Sequence, residues 1–352
     1  VPVKPAPLAT LACILTLALP AAGASAPTVR ITADTVLARE AGQVIEARGA
    51  VTITDGRITI RADHLLYTRR DRRIRLTGHV AAVTPQGDLR ARQVVVTLTP
   101  AGALEAVEAA EEVTVRSADR TLQAGRVRYR PVADIMEATD GVVLRWADRT
   151  LQADRVRYEA GKTFDADGGV TVRWGDRELT ARRVVGVAAG QVLEASEDAV
   201  ARWADRTIRA DRMVYRLAED VLTATGGVTL TTRNLAATAQ TLVARGARTA
   251  TLGGRARMQT PDGELQADRI DVQVQEQTAQ ASGNVMGVFQ DTTITSQAAT
   301  LSVPDGYAVF RGQVTVRRPG RTLTADVVTF YYREHRLVAQ GETTIRIQPE
   351  TP

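Results

Sequence analysis

Three histidines, one cysteine and a recurring aspartate are the residues of this sequence with catalytic or metal-binding chemistry to offer. His64, His79 and His335 are never at metal-ligand spacing, and they read as strand residues facing solvent. The aspartate returns at Asp34, Asp63, Asp154, Asp211, Asp268 and Asp326, and a stacked column of carboxylates would suit calcium. That column is broken at Arg92, Gly125, Arg182, Thr238 and Gln297, and no Gly-Gly-x-Gly-x-Asp calcium repeat accompanies it. Aspartates capping backbone amides at a corner are the better reading. No Ser-His-Asp set, paired catalytic acids, Gly-rich phosphate loop or Cys/His cluster is recognisable. The expectation is therefore no enzyme, no cofactor and no metal.

Aromatic residues recur as well. Tyr67, Tyr129, Tyr158, Tyr215 and Phe330 each fall at the last apolar position before a turn, as rim packing requires. Trp146, Trp174 and Trp203 share one register, each followed by Ala/Gly-Asp-Arg, and are expected to stack in a row at a strand end.

Of the 45 basic residues only Lys4 and Lys162 are lysine. Arginine forks suit phosphate and carboxylate groups. The net charge of +5 is spread along the chain, so no nucleic-acid footprint stands out. Hydrophobic content of 44% with 24% charge is that of a folded chain, and 4% aromatics leaves Val, Leu, Ile and Ala to fill the interior. Residues 1–26 read as a signal peptide: Lys4, the apolar run Leu8 to Leu19, Pro20 and a small-residue stretch ending at Ala26. Cys13 lies inside that run, so the exported chain would have neither disulfide nor thiolate.

The elements that carry these residues follow from a repeat of about 29 residues. Its first apolar position falls at Val51, Val80, Val113, Val142, Val170, Ala199, Val228, Ala256, Val285, Val314 and Thr343. The gaps are 28 or 29 residues, except one of 33. Such regularity means one module stacked on itself. Within a unit, apolar and polar residues alternate as in half-buried strands. Phe164, Ala166, Val170, Val172 and Trp174 share a face, with Gly168-Gly169 between them for a bend. After the Gly175-Asp176 turn, the inward set shifts phase between Ala181 and Val184, which calls for a second bend. Each repeat is thus a hairpin of two bent strands. The fold class is all-β: an elongated antiparallel β-jelly roll, V-shaped in section, stacked from about ten such hairpins. The array is expected over 27–348, followed by a disordered tail at 349–352. A four-residue insertion is expected around Leu98 to Leu104, and a small loss at Thr231 to Leu235.

The unit Gly-x-Val-x-Val … Leu-x-Ala-Asp-x-Val-x-Tyr resembles the OstA-like repeat of the LptA family, the periplasmic lipopolysaccharide-export bridge. It stands here as Gly78-His-Val80, Gly283-Asn-Val285 and Leu323-Thr-Ala325-Asp326-Val-Val328-Thr-Phe330. The resemblance covers about residues 29 to 347. It implies a jelly roll whose interior shields acyl chains and whose terminal strand edges pair with neighbouring jelly-roll proteins. The implied localisation is the periplasm. The implied partners are lipopolysaccharide or another long-chain lipid, other jelly-roll transport proteins and, as an allowed assembly, a head-to-tail oligomer. Nucleic acid is not expected.

On that reading the lipid-binding lining comprises Val51, Ile53, Val80, Val113 and Val115, then Val142, Leu144, Val170 and Val172. It continues with Val228, Leu230, Val285, Val314 and Val316. The alternative is a structural or adhesive β-repeat protein of the envelope with a closed, packed interior. Interior volume discriminates: Ala82, Ala91, Gly186, Ala199, Ala201 and Gly287, if inward, favour a hollow section.

Overall fold

The structure, a computed structural model, describes residues 29–347 apart from 55–56, 86, 118–119, 160–162 and 188–190. The expected signal peptide and C-terminal tail lie outside the described residues. The chain divides into two compact units, with the division passing through one strand, of which Leu179–Ala181 group with the second unit.

Unit 1 begins with β1 (Arg30–Thr32), β2 (Thr35–Arg39), β3 (Val44–Thr54), β4 (Thr59–Thr68), β5 (Arg73–Thr84) and β6 (Gly87–Leu98). It continues through β7 (Leu104–Ser117), β8 (Arg120–Arg130), β9 (Ile135–Trp146), β10 (Arg149–Glu159), β11 (Thr163–Trp174) and the divided strand β12 (Arg177–Val187). Consecutive strands from β3 to β11 pair antiparallel, and β1 and β2 both pair with β3. A 3₁₀ turn at Glu40–Gly42 is the one helical piece among the described residues.

Unit 2 holds β13 (Val192–Trp203), β14 (Arg206–Arg216), β15 (Val221–Thr231), β16 (Ala236–Arg245), β17 (Thr249–Thr260) and β18 (Gly263–Gln273). It ends with β19 (Thr278–Phe289), β20 (Thr292–Ser302), β21 (Tyr307–Arg318), β22 (Arg321–Tyr331), β23 (Arg336–Gln340) and β24 (Thr344–Ile347). Pairing is again antiparallel between chain neighbours, and β23 and β24 both lie on β22.

Each long strand pair whose register is described slips near its middle, as between Arg311 and Val314 in β21, where β22 runs on through Val327 and Ala325. Two residues there oppose one, which is a bulge and bends the strand. The backbone shows how: two consecutive residues adopt the left-handed conformation, such as Gly49-Ala50, Gly168-Gly169, Gly226-Gly227 and Gly283-Asn284. The first has no Cβ because an aspartate from the adjoining strand stands in its place. Asp34 covers Gly49, Asp63 Gly78, Asp154 Gly168, Asp211 Gly226, Asp268 Gly283 and Asp326 Gly341. The recurring aspartate is therefore a corner residue. Its carboxylate also accepts hydrogen bonds from the second bend residue: the Glu342 N–H to Asp326 (3.1 Å) and the Asn284 amide to Asp268 (2.8 Å).

Where the aspartate is missing, the bend is held otherwise. Gln240 and Gln297 cover Gly254 and Gly312. Asp140 sits on the bend itself and packs over Gly125 opposite. Arg92 pairs with Glu112 at 2.7 Å across the bend Glu111-Glu112. Gln240 rather than Thr238 thus holds the corner position. The reason is that the short turn lies at Gly246–Arg248, three residues between β16 and β17, and not at Thr231 to Leu235. The expected insertion does fall between β6 and β7, where the Thr99 N–H bonds the Ala103 carbonyl at 2.7 Å.

Candidate functional site

The bends in the long strands give each unit two leaves, one before and one after the corner. Alternation puts one face of each leaf inward, and the inward residues are buried on both sides of the corner, so each unit's leaves cover one another. In unit 1 the inward set includes Val51, Ile53, Val80, Val113, Val115, Val142, Leu144, Val170 and Val172, and each of these is at most 7% exposed. In unit 2 it includes Val228, Leu230, Val285, Val314 and Val316, at most 8% exposed.

Among the described residues the buried polar ones are Thr84, Thr292, Ser296 and Ser302, and no charged side chain is buried. Among the described residues the interior thus presents a largely hydrocarbon surface.

The small residues point inward too: Ala82, Ala91, Ala199 and Ala201 are at most 6% exposed. Gly186 and Gly287 are buried as well. The glycines are not empty space, however. The Phe164 ring fills the place of a Gly186 side chain, and the Phe310 and Phe289 rings lie 2.7 and 2.8 Å from where a Gly287 Cβ would be.

The leaf edges carry the polar chemistry. The Tyr129 hydroxyl donates to Asp134 at 3.0 Å, and the Tyr215 hydroxyl donates to Asp220, so these rim tyrosines pin the adjoining turns. On the other leaf of unit 1 the register sets Arg149 directly between Trp146 and Trp174, with Arg120 on the far side of Trp146. Arginines thus alternate with the tryptophans, which were expected to stack on one another. In that row Arg149 has Asp148 at 3.8 Å.

In unit 2 the two leaf edges meet. Phe289 stacks on Tyr332 with ring centres 5.6 Å apart and planes 6° from parallel, and it lies 5.3 Å from Phe330 and 6.3 Å from Phe310. Phe289 and Phe330 lie on opposite leaves. Farther along the mouth, Arg206 reaches the Ala247 carbonyl across the same gap at 3.4 Å. The Tyr332 hydroxyl donates to the Ser302 carbonyl at 3.0 Å, and burial pushes its pKa up. Three of the four phenylalanines of the chain gather in this clasp. Sequence reasoning picked out Phe330 alone. The signal for Phe289 was its register, three repeats on from Trp203.

The histidines stand at leaf surfaces: His64 bonds Glu46 at 3.0 Å, and His79 bonds the corner residue Asp63 at 2.8 Å. Their partners are single carboxylates, and no group of three or more metal-binding side chains occurs among the described residues.

A family model described as LptA/(LptD N-terminal domain) LPS transport protein matches residues 59–164 and 293–351, somewhat under half of the chain. The stretches similar to that family fall in both units: β4 to the start of β11 in one, and β20 to β24 in the other. Among solved structures the chain is similar to LptH of Pseudomonas aeruginosa, described as the LptA homologous periplasmic component of the conserved lipopolysaccharide transport device. The two are 15% identical, over 41% of this chain and 95% of that one, with a TM-score of 0.23. No curated protein matches this chain.

Proposed function

We infer that this chain is a non-enzymatic periplasmic lipid carrier, holding acyl chains of lipopolysaccharide or a related envelope lipid between its leaves on the way to the outer membrane. The observation that carries the reading is an interior lined by Val, Leu, Ile and Ala with no charged residue buried among those described, in a chain with stretches similar to a lipopolysaccharide-transport family. Shielding a twelve-carbon chain from water is worth about 10 kcal/mol gross, at roughly 0.8 kcal/mol per CH₂. Because the inward side chains of the two leaves pack together, the leaves would part to admit a chain, and the cost of parting them offsets some of that gain.

The open strand edges support a bridging role. β2 carries Val36 and Leu37, 52% and 42% exposed, and β24 carries Ile345 and Ile347, 60% and 69% exposed. Each of these strands is paired on one side only among the described residues. Edges of that kind accept a further strand from a neighbouring jelly-roll protein or another copy. The expected export segment at 1–26 agrees with this place in the cell.

The rings filling the space at Gly186 and Gly287 favour a second reading, a structural envelope array with a closed interior. One experiment separates the two: native mass spectrometry with lipid extraction on the chain purified from its own envelope. A stoichiometric long-chain lipid supports carriage and names the cargo. Lipid-free protein that also takes up none from added lipopolysaccharide would leave the structural array.

A further inference from the structure

The mouth of unit 2 differs from the rest of the molecule at one turn. Along β21 the inward face runs Val314, Val316, and then Arg318, where the corresponding edge position of β19 is Phe289 and that of β13 is Trp203. An arginine thus ends an otherwise apolar inward column. It is fixed in place: its Nε donates to Thr292 Oγ1 at 2.8 Å, and its guanidinium lies 5.7 Å from the centre of the Phe330 ring on the facing leaf. Half-burial against a ring strips water from a guanidinium and strengthens its remaining hydrogen bonds.

No described carboxylate pairs with Arg318 directly. Equivalent edge turns read Ala204-Asp205-Arg206 or Ala147-Asp148-Arg149, with the acid 3.9 and 3.8 Å from its arginine. The β21–β22 turn reads Arg317-Arg318-Pro319-Gly320-Arg321, and Arg318 pairs across the strands with Arg321. Among the described residues no carboxylate lies within 4 Å of Arg317, Arg318 or Arg321. Asp291 reaches Arg318 only through a hydroxyl: Thr292 accepts from Arg318 and donates to Asp291 at 3.0 Å.

We propose that Arg318 and Arg321, with Arg317 beside them, bind the phosphate head of an acylated amphiphile whose chains pass the Phe289–Phe330–Tyr332 clasp into unit 2. This rests on the carrier reading and adds to it where the head is held. Two guanidinium forks on one edge match a phosphomonoester, which offers three acceptor oxygens and nearly two charges. The apolar column beginning at Val316 receives the chains.

The test uses the full chain and two probes with identical tails, dioleoyl phosphatidic acid and dioleoylglycerol, with binding read by native mass spectrometry and competition. The proposal expects the unmodified protein to prefer the phosphatidic acid by about tenfold or more, a preference that weakens with salt. In the Arg318→Gln/Arg321→Gln protein the preference should fall to within about twofold, with dioleoylglycerol binding unchanged. Equal binding of the two probes by the unmodified chain overturns the head site and leaves lipid carriage standing, as does a preference retained by the double variant. Failure of the unmodified chain to bind either probe overturns the carrier reading and this site together.

Discussion

Replacing Gly226 by alanine tests the corner architecture most sharply. Its φ of +80° lies in the left-handed region, where an alanine costs about 1 kcal/mol or slightly more. The new Cβ would also stand 2.9 Å from Asp211 Cβ, with a carboxylate oxygen closer still, so Asp211 must swing off the bend and give up its corner position. Together these predict a loss of about 2–3 kcal/mol. The neighbouring Gly227 is the control. Its φ is +54°, nothing lies within 4 Å of its missing Cβ, and the same position elsewhere is Asn284, His79 or Gln313. Gly227→Asn should therefore change stability by less than about 0.5 kcal/mol. In a double-mutant cycle, adding Asp211→Ala to Gly226→Ala should recover about 1 kcal/mol, because the carboxylate is removed and only the Cβ approach remains. The assay is urea unfolding by circular dichroism, with hydrogen exchange at β14 and β15 to localise the effect. Equal losses at Gly226 and Gly227, or a strictly additive cycle, would refute the claim that aspartate and glycine form one device.

Three further outcomes are expected. Phe310→Ala, at a ring with no exposure, should cost about 3–5 kcal/mol in the same unfolding assay, and a loss under 1 kcal/mol would mean that the clasp is loosely packed. The Arg269 guanidinium, bonded at 2.7 and 2.8 Å, holds the Asp271 carboxyl below its usual range; partial burial opposes this, and the Thr251 hydroxyl assists. A lowered folded pKa means that this stabilisation is present above the unfolded value of about 4 and is lost as the pH falls through the folded one. Carbon-detected NMR titration should show Asp271 moving up in Arg269→Gln, and an unmoved titration would contradict the assignment. If β24 is a docking edge, Ile345→Lys/Ile347→Lys should abolish any concentration-dependent self-association seen by sedimentation velocity, while leaving the monomer's circular dichroism unchanged.

Much of this was legible in the residues because each signal is local. Alternation marks the strands, and a phase shift after Ala-Asp marks a corner. A Gly-Gly or Gly-Asn pair supplies the two left-handed residues that a bend needs. The inward columns from Val51 to Val316 follow directly from that phase. What stayed hidden depends on pairs far apart in the chain. Nothing in the spacing of Phe289 and Tyr332 says that their leaves meet at the edge, since leaf separation is set by the packing of everything between. The short turn lies one hairpin beyond its expected place, because Thr232 to Leu235 and Gly246 to Arg248 both carry turn-forming residues, and only the corner partner Gln240 tells them apart. Likewise, the tryptophan row read as self-stacking because the sequence places the three residues in one column. The intervening antiparallel strand, with Arg149 at the matching register, is visible only once the hairpins are paired.

The central claim is that acyl chains lie on the inward face, and site-specific photo-crosslinking tests it most directly. A diazirine side chain would be placed at inward Val172 or Val228 and, as controls, at the adjacent outward Thr171 or Thr229, then illuminated with lipopolysaccharide present. The account predicts covalent capture of the lipid at Val172 and Val228 and none at the threonines. Capture at neither pair, or equally at both, would contradict it.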